Sequence, residues 1–279
     1  MKIAKKVLST MLALAVAVTC ITIPATPVQA APRTTSYVYD AKTGINYQDK
    51  IRCPIGEHGT TSYLYSAGSG DYIAKAKADS KDLIVKVTQK TNYLGNSYTS
   101  MSVPNKEGYE IIRSHYAISY FSTKPGKYTV TLTINNAKKK KIATKKVTVY
   151  VNNISFPFKS IKFAGKDIGG TQTFSKTSGA LKIKMNKTYK LKKIEVGKYD
   201  KASYSEYSPE PTYIPVKNGA SITLAQKTAF KSGVRDDSYY DSSYYDHNYI
   251  CPVTFVRITY VDTLLNTQYT NTYRIYLKK

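Results

Sequence analysis

The chain has 279 residues, with 42 Lys and Arg against 18 Asp and Glu for a formal net charge of +24, and it holds 27 tyrosines, three cysteines and no tryptophan. So few thiols exclude a disulfide-rich mini-protein, and the missing tryptophan removes the best platform for stacking on sugars. The charge excess would draw an exported chain to polyanions, while a basic surface that only keeps the chain soluble is the plainer alternative and stays open.

In chain order, the first segment is residues 1–30. Lys2, Lys5 and Lys6 precede an apolar run from Val7 to Ile23, and Val28 and Ala30 place small residues where a leader-cleaving enzyme needs them. This pattern predicts a secretory signal peptide cut between Ala30 and Ala31. Ser9, Thr10, Thr19 and Thr22 interrupt the run, which falls short of the ~20 consecutive apolar residues of a membrane span. A lipid anchor at Cys20 lacks the Leu and small residues that should precede the thiol. Removal of three lysines and no acids takes the charge from +24 to +21. The expected mature protein is secreted, with non-covalent retention at the cell surface as an option, because its C-terminus carries no sorting signal.

Residues 31–70 are left as an N-terminal segment. Cys53 within it and Cys251 are the two thiols that survive cleavage, and they are candidates for one disulfide in an oxidising compartment. Short runs rich in β-branched and aromatic residues then predict strands at Tyr72–Ala78, Leu83–Gln89 and His115–Phe121. After a turn at Pro125 and Gly126, Tyr128, Val130, Leu132 and Ile134 alternate with Thr129, Thr131 and Thr133, so one face of this strand is buried. Asn135 and Asn136 supply the next turn, and Val147, Val149 and Val151 return as a second strand. Between them lies the densest basic cluster, Lys138, Lys139, Lys140, Lys141, Lys145 and Lys146, which is the candidate polyanion contact.

Residues 71–152 resemble the bacterial immunoglobulin-like and PKD-type modules of exported proteins, through Pro125, Gly126, Tyr128, Thr129, Val130, Thr131 and Leu132. The resemblance implies a β-sandwich near its closing hairpin and says nothing of a ligand. Asn135, Asn136 and the lysines stand where such modules carry an acidic or Gly-rich turn.

A second domain, 153–279, is expected to begin beyond Asn152. Leu181, Ile183 and Met185 alternate with Lys182 and Lys184, and further strands are predicted at Tyr189–Val196, Ala220–Leu224, Val253–Tyr260 and Thr270–Leu277. With no useful amphipathic helix in either half, the expected fold is all-β, two immunoglobulin-like sandwiches after a cleaved signal peptide.

Catalytic signatures are largely absent. None of His58, His115 or His247 begins an HExxH, and no Gly-Lys-Ser/Thr phosphate loop occurs. Cys251 with Arg257 close behind is a faint transpeptidase pattern needing His115 or His247 as partner, but Pro252 follows the thiol and the motif expected before it is missing. The chain is therefore read as non-catalytic, with no cofactor. Asp236–Tyr249 is the most distinctive stretch, and Tyr239, Tyr240, Asp241, Tyr244, Tyr245, Asp246 and His247 have the composition of an antibody loop, so these are the candidate ligand contacts. A second tyrosine-rich stretch spans Tyr199 to Tyr213. Clustered aspartates in the first stretch invite calcium, but their spacing follows no EF-hand, and no metal site is assigned. The expected function is a secreted binding or adhesion protein acting on an anionic polysaccharide, a cell-wall polymer or a surface protein. Nucleic acid is disfavoured by the compartment, and a ligand-free spacer is the structural alternative.

Overall fold

The computed structural model describes residues 30–57, 60–68, 70–92, 102–105, 108–111, 114–153, 156–169, 172–199, 211–226, 229–238, 241–250 and 253–278. The fold is all-β, with no helix among the described residues. The leader at residues 1–29 lies outside them.

Among the described residues, eleven strands make up the N-terminal half. They are β1 (Tyr37–Asp40), β2 (Ile45–Gln48), β3 (Lys50–Pro54), β4 (Thr60–Ser66), β5 (Tyr72–Ala78), β6 (Ile84–Asn92), β7 (Ser102–Asn105), β8 (Gly108–Ile111), β9 (Ser114–Phe121), β10 (Gly126–Asn135) and β11 (Lys141–Asn152). They form a five-stranded sheet of order β1-β2-β4-β9-β6, a four-stranded sheet of order β3-β11-β10-β5, and a β7-β8 ladder. The alternation in β10 acts as expected: Tyr128, Val130, Leu132 and Ile134 are buried in one cluster with Val147, Val149 and Val151 of β11. From the five-stranded sheet Ile45, Leu64, Tyr116, Ile118 and Tyr120 enter the same cluster, so the two sheets share a core. Segment 31–70 is more than a lead-in, since it supplies β1 to β4 and buries Ile45, Ile51, Cys53 and Leu64. Strand β3 pairs in parallel with β11, a contact made across roughly a hundred residues of sequence.

The C-terminal half repeats the scheme with β12 (Phe158–Phe163), β13 (Lys166–Asp167), β14 (Thr173–Phe174), β15 (Ser178–Met185), β16 (Tyr189–Lys198), β17 (Thr212–Pro215), β18 (Ser221–Thr223), β19 (Ala229–Ser238), β20 (Asp241–Ile250), β21 (Val253–Asp262) and β22 (Thr267–Leu277). A β13-β12-β15-β18 sheet and a β14-β22-β21-β16-β17 sheet enclose a second core of Ile161, Phe163, Leu181, Ile183, Val256 and Ile258 among others. Strands β19 and β20 pair with each other over ten residues each.

The halves are joined by a desolvated ion pair. Arg52 of β3 donates from Nη2 to Asp262 Oδ1 at 2.8 Å and to Thr188 Oγ1 at 2.9 Å, and its guanidinium lies over the Tyr189 ring. Asp262 Oδ1 also accepts the backbone N–H groups of Leu264 and Leu265, which fixes the turn into β22. With 9% and 2% of their side chains exposed, neither Arg52 nor Asp262 can be left alone without a large penalty.

Candidate anion-binding face

The period of two that buries Val130 and Leu132 turns Thr129, Thr131 and Thr133 to the opposite face of the β3-β11-β10-β5 sheet. Register then decides what stands beside them. Lys77 of β5 and Lys146 of β11 both lie directly opposite Thr131, one on each side. Thr133 has Lys75 on one side and Thr144 on the other, while Thr129 faces Thr148, whose parallel neighbour on β3 is Lys50. The face is thus a central line of threonine hydroxyls flanked by lysines. With strands about 4.8 Å apart, the two backbones that carry Lys77 and Lys146 are about 10 Å apart, and Lys75 and Lys77 follow one another at about 7 Å along β5. Lys75, Lys77 and Lys146 are exposed, and none of them enters an ion pair among the described residues. Asp79 closes one end, its carboxylate accepting the Thr129 N–H at 3.0 Å.

At the other end the face runs into the β10–β11 turn. Asn136 organises it: its N–H donates to Lys140 O at 2.8 Å, and its Oδ1 accepts the Lys140 N–H at 3.0 Å. Lys139 adopts a left-handed φ of 64° within this turn. Lys138, Lys139, Lys140 and Lys141 are all exposed at the tip.

Lys145 departs from the expected basic cluster. It lies opposite Leu132, on the core side of the ladder, with only 11% of its side chain exposed. There it forms an ion pair with Asp40 of the facing sheet and sits over the Tyr47 ring. The hydrogen bond from Lys145 is the main reason why the Asp40 carboxyl is held below its ordinary range, ahead of the contributions of Thr43 and the Lys42 N–H. Five of the six lysines of the cluster are thus exposed, and the sixth closes the edge of the core.

The tyrosine-rich stretch is a hairpin in its backbone, with Ser238 opposite Asp241, Arg235 opposite Tyr244, Val234 opposite Tyr245, Gly233 opposite Asp246 and Ser232 opposite His247. Tyr239 and Tyr240, and the side chains of the remaining candidates there, lie outside the described residues. So does Cys251. Cys53 is a free thiol buried in the first core, with Sγ 3.9 Å from Tyr120 O, and burial pushes its pKa up. Arg257, the residue invoked beside Cys251, is bound to Glu195 at 2.9 Å. His115 stacks on Tyr65 with ring centroids 4.8 Å apart, and burial lowers its pKa.

The flanks missed by sequence reading, Lys50, Lys75 and Lys77, carry a signal in retrospect. YIAKAKA in β5 places its lysines on one parity, and the threonines of β10 fix which parity faces solvent.

No family profile matches the chain, and no curated protein matches it. Among solved structures it is similar over 84% of its length to domains 1–6 of the surface layer protein SbsC, at 14% identity and a TM-score of 0.24, covering 25% of that chain. Over 66% of its length it is similar to the secreted serine protease VesC from Vibrio cholerae, at 10% identity and a TM-score of 0.24, covering 44% of that chain. The chain spans less than half the length of either, and similarity at this level decides neither fold nor function.

Proposed function

We propose that this chain is an exported, non-catalytic binding protein, two immunoglobulin-like sandwiches divided near residue 152, that retains an anionic cell-envelope polymer on the threonine and lysine face of its N-terminal half. One observation carries the reading: Lys77 and Lys146 flank Thr131 on a three-strand surface, where cations stand in register with hydroxyl donors. Lysine acts toward phosphate or carboxylate as a compact point charge, and threonine adds a donor that needs no counter-charge. The basic n-region and apolar core of residues 1–30 support export, and the remaining charge of +21 supports attraction to polyanions over a long range. A ligand-free spacer would need no such register.

The test uses residues 31–279 and polyglycerol phosphate as the probe, read by calorimetry at low salt. Each exposed lysine contact contributes roughly 0.2–1 kcal/mol, so Lys75→Gln, Lys77→Gln and Lys146→Gln combined should weaken binding about tenfold. Undiminished affinity in that variant, with its melting temperature intact, assigns the polymer elsewhere. No binding by the wild type leaves the spacer reading in its place.

A further inference from the structure

A second feature lies on the other half of the molecule, on the solvent face of the β16, β21 and β22 strands. There an open depression of about 460 Å³ is bordered by three cations, Lys192, Lys193 and Arg257, and one carboxylate, Glu195. Thr259, Thr270 and Gln268 complete its lining.

Two of the cations, Lys193 and Arg257, are held by the local geometry. Glu195 lies directly opposite Arg257 in the β16–β21 ladder, and its side chain is 8% exposed. Its two oxygens are divided between neighbours, Oε2 accepting from Arg257 Nε at 2.9 Å and Oε1 pairing with Lys193 Nζ at 2.6 Å. The Arg257 guanidinium lies 3.6 Å from the centre of the Tyr213 ring, and Tyr213 lies against Gly197, its cross-strand partner. A Cβ at Gly197 would come within 2.6 Å of that ring, so the absence of a side chain there is what lets Tyr213 settle and hold Arg257 from one side. A bulge between Leu191 and Lys193 inserts Lys192 as an extra residue, which brings two successive lysines to one rim. Lys192 is exposed and enters no ion pair among the described residues. After Glu195 is counted, the depression keeps an excess of two positive charges beside two hydroxyls and one amide. Thr259 and Thr270 stand opposite each other with their hydroxyl oxygens 3.2 Å apart.

We propose that this depression binds the carboxylate of an acidic sugar, with Lys192 and the outward edge of Arg257 on the carboxylate and Thr259, Thr270 and Gln268 on the ring hydroxyls. A fixed planar guanidinium suits a planar carboxylate, and the neutral donors and acceptors alongside suit a ligand that carries hydroxyls next to its charge. An open rim admits an internal residue of a chain as well as a free unit. Glu195, Tyr213 and Gly197 are positioning residues, since they act through Arg257. The inference goes beyond the polyanion face, shares no residue with it, and stands or falls separately.

Titration of residues 31–279 with an oligogalacturonate, with free galacturonate and with a neutral oligogalactose tests the proposal. Binding of the first, with or without the second, and none of the third is expected. Lys192→Gln should lose about tenfold in affinity, the range of one charge-assisted hydrogen bond. Gly197→Ala touches no ligand, yet it should weaken binding comparably by displacing Tyr213. The lysine-face variant at positions 75, 77 and 146 should bind within about twofold of wild type, which separates failure here from failure there. Equal binding of the neutral oligomer, displacement of the oligogalacturonate by inorganic phosphate at an equal molar concentration, or wild-type affinity in Lys192→Gln would overturn it. Should Gly197→Ala melt early, Lys192→Gln on the exposed rim still decides.

Discussion

The two basic surfaces of this protein are built on opposite plans. On the N-terminal half, Lys75 and Lys77 of β5 and Lys146 of β11 project from the two strands that flank β10, with no ion pair among the described residues, held only by the register of the sheet beneath them. On the C-terminal half, Arg257 is fixed by Glu195, by Tyr213 and, through the ring, by Gly197. In the proposed reading the first plan gives an extended field suited to an evenly charged chain, and its strength is screened over about 8 Å at physiological salt. The second gives one defined contact, whose cost of ordering has been met before the ligand arrives. Charge density alone, which is highest at Lys138–Lys141, distinguishes neither plan.

The comparison can be broken most forcefully at the scaffold. Val130 is fully buried between the sheets that present the threonine line, so Val130→Asp should unfold the N-terminal half, an isolated carboxylate having no partner there. Loss of the first of two calorimetric transitions, or of the whole transition if the halves are coupled, is the expected record, and an unchanged melting profile contradicts the burial. Next in size is the joint. Asp262→Ala strands Arg52 and releases the turn at Leu264 and Leu265, at a cost of about 3–5 kcal/mol by chemical denaturation.

Acid should act on both halves in the same direction but through different partners. Asp40 and Glu195 are each held below their ordinary values of 3.8 and 4.5, by Lys145 and by Arg257 foremost. A folded value below the unfolded one means that the stabilisation is fully present above the ordinary value and is lost as pH falls through the folded value. The melting temperature should therefore decline from near pH 4.5 downward, and Lys145→Gln should reduce the part of that slope due to Asp40, leaving the smaller share held by Thr43 and the Lys42 N–H, while the part due to Glu195 stays. The smallest effect is expected at the hairpin tip. Replacing Lys138, Lys139, Lys140 and Lys141 by Gln should leave stability within about 0.5 kcal/mol, because all four are exposed.

Much of this was legible in the sequence where a strand carries its own period. KYTVTLTI announces both its buried and its open face, and the burial of Val147, Val149 and Val151 follows from the same rule. Lys145 shares their parity, so its inward direction could be read from KKVTVYV, although lysine density suggests a solvent cluster. What escaped depends on pairing between distant segments. The parallel contact of β3 with β11 joins positions far apart, and nothing local in KIRCP names that partner. The Glu195–Arg257 register escapes for a related reason: it crosses between strands separated by some fifty residues, and the bulge at Lys192 shifts the ladder by one position on the way. The role of Gly197 depends on that register, so it too is invisible beforehand.

Salt dependence of polyglycerol phosphate binding, measured by calorimetry from low to high ionic strength for the wild type and for the variant with Gln at positions 75, 77 and 146, tests the central claim most directly. Each cation that displaces a counterion from a polyelectrolyte contributes somewhat less than one to the slope of log affinity against log salt. The account predicts that the variant's slope is shallower by roughly two to three, while the variant with Gln at positions 138–141 retains most of the wild-type affinity. A face variant with the wild-type slope, or a tip variant that loses all binding, would show that the polymer reads lysine density and not the register of the threonine and lysine face.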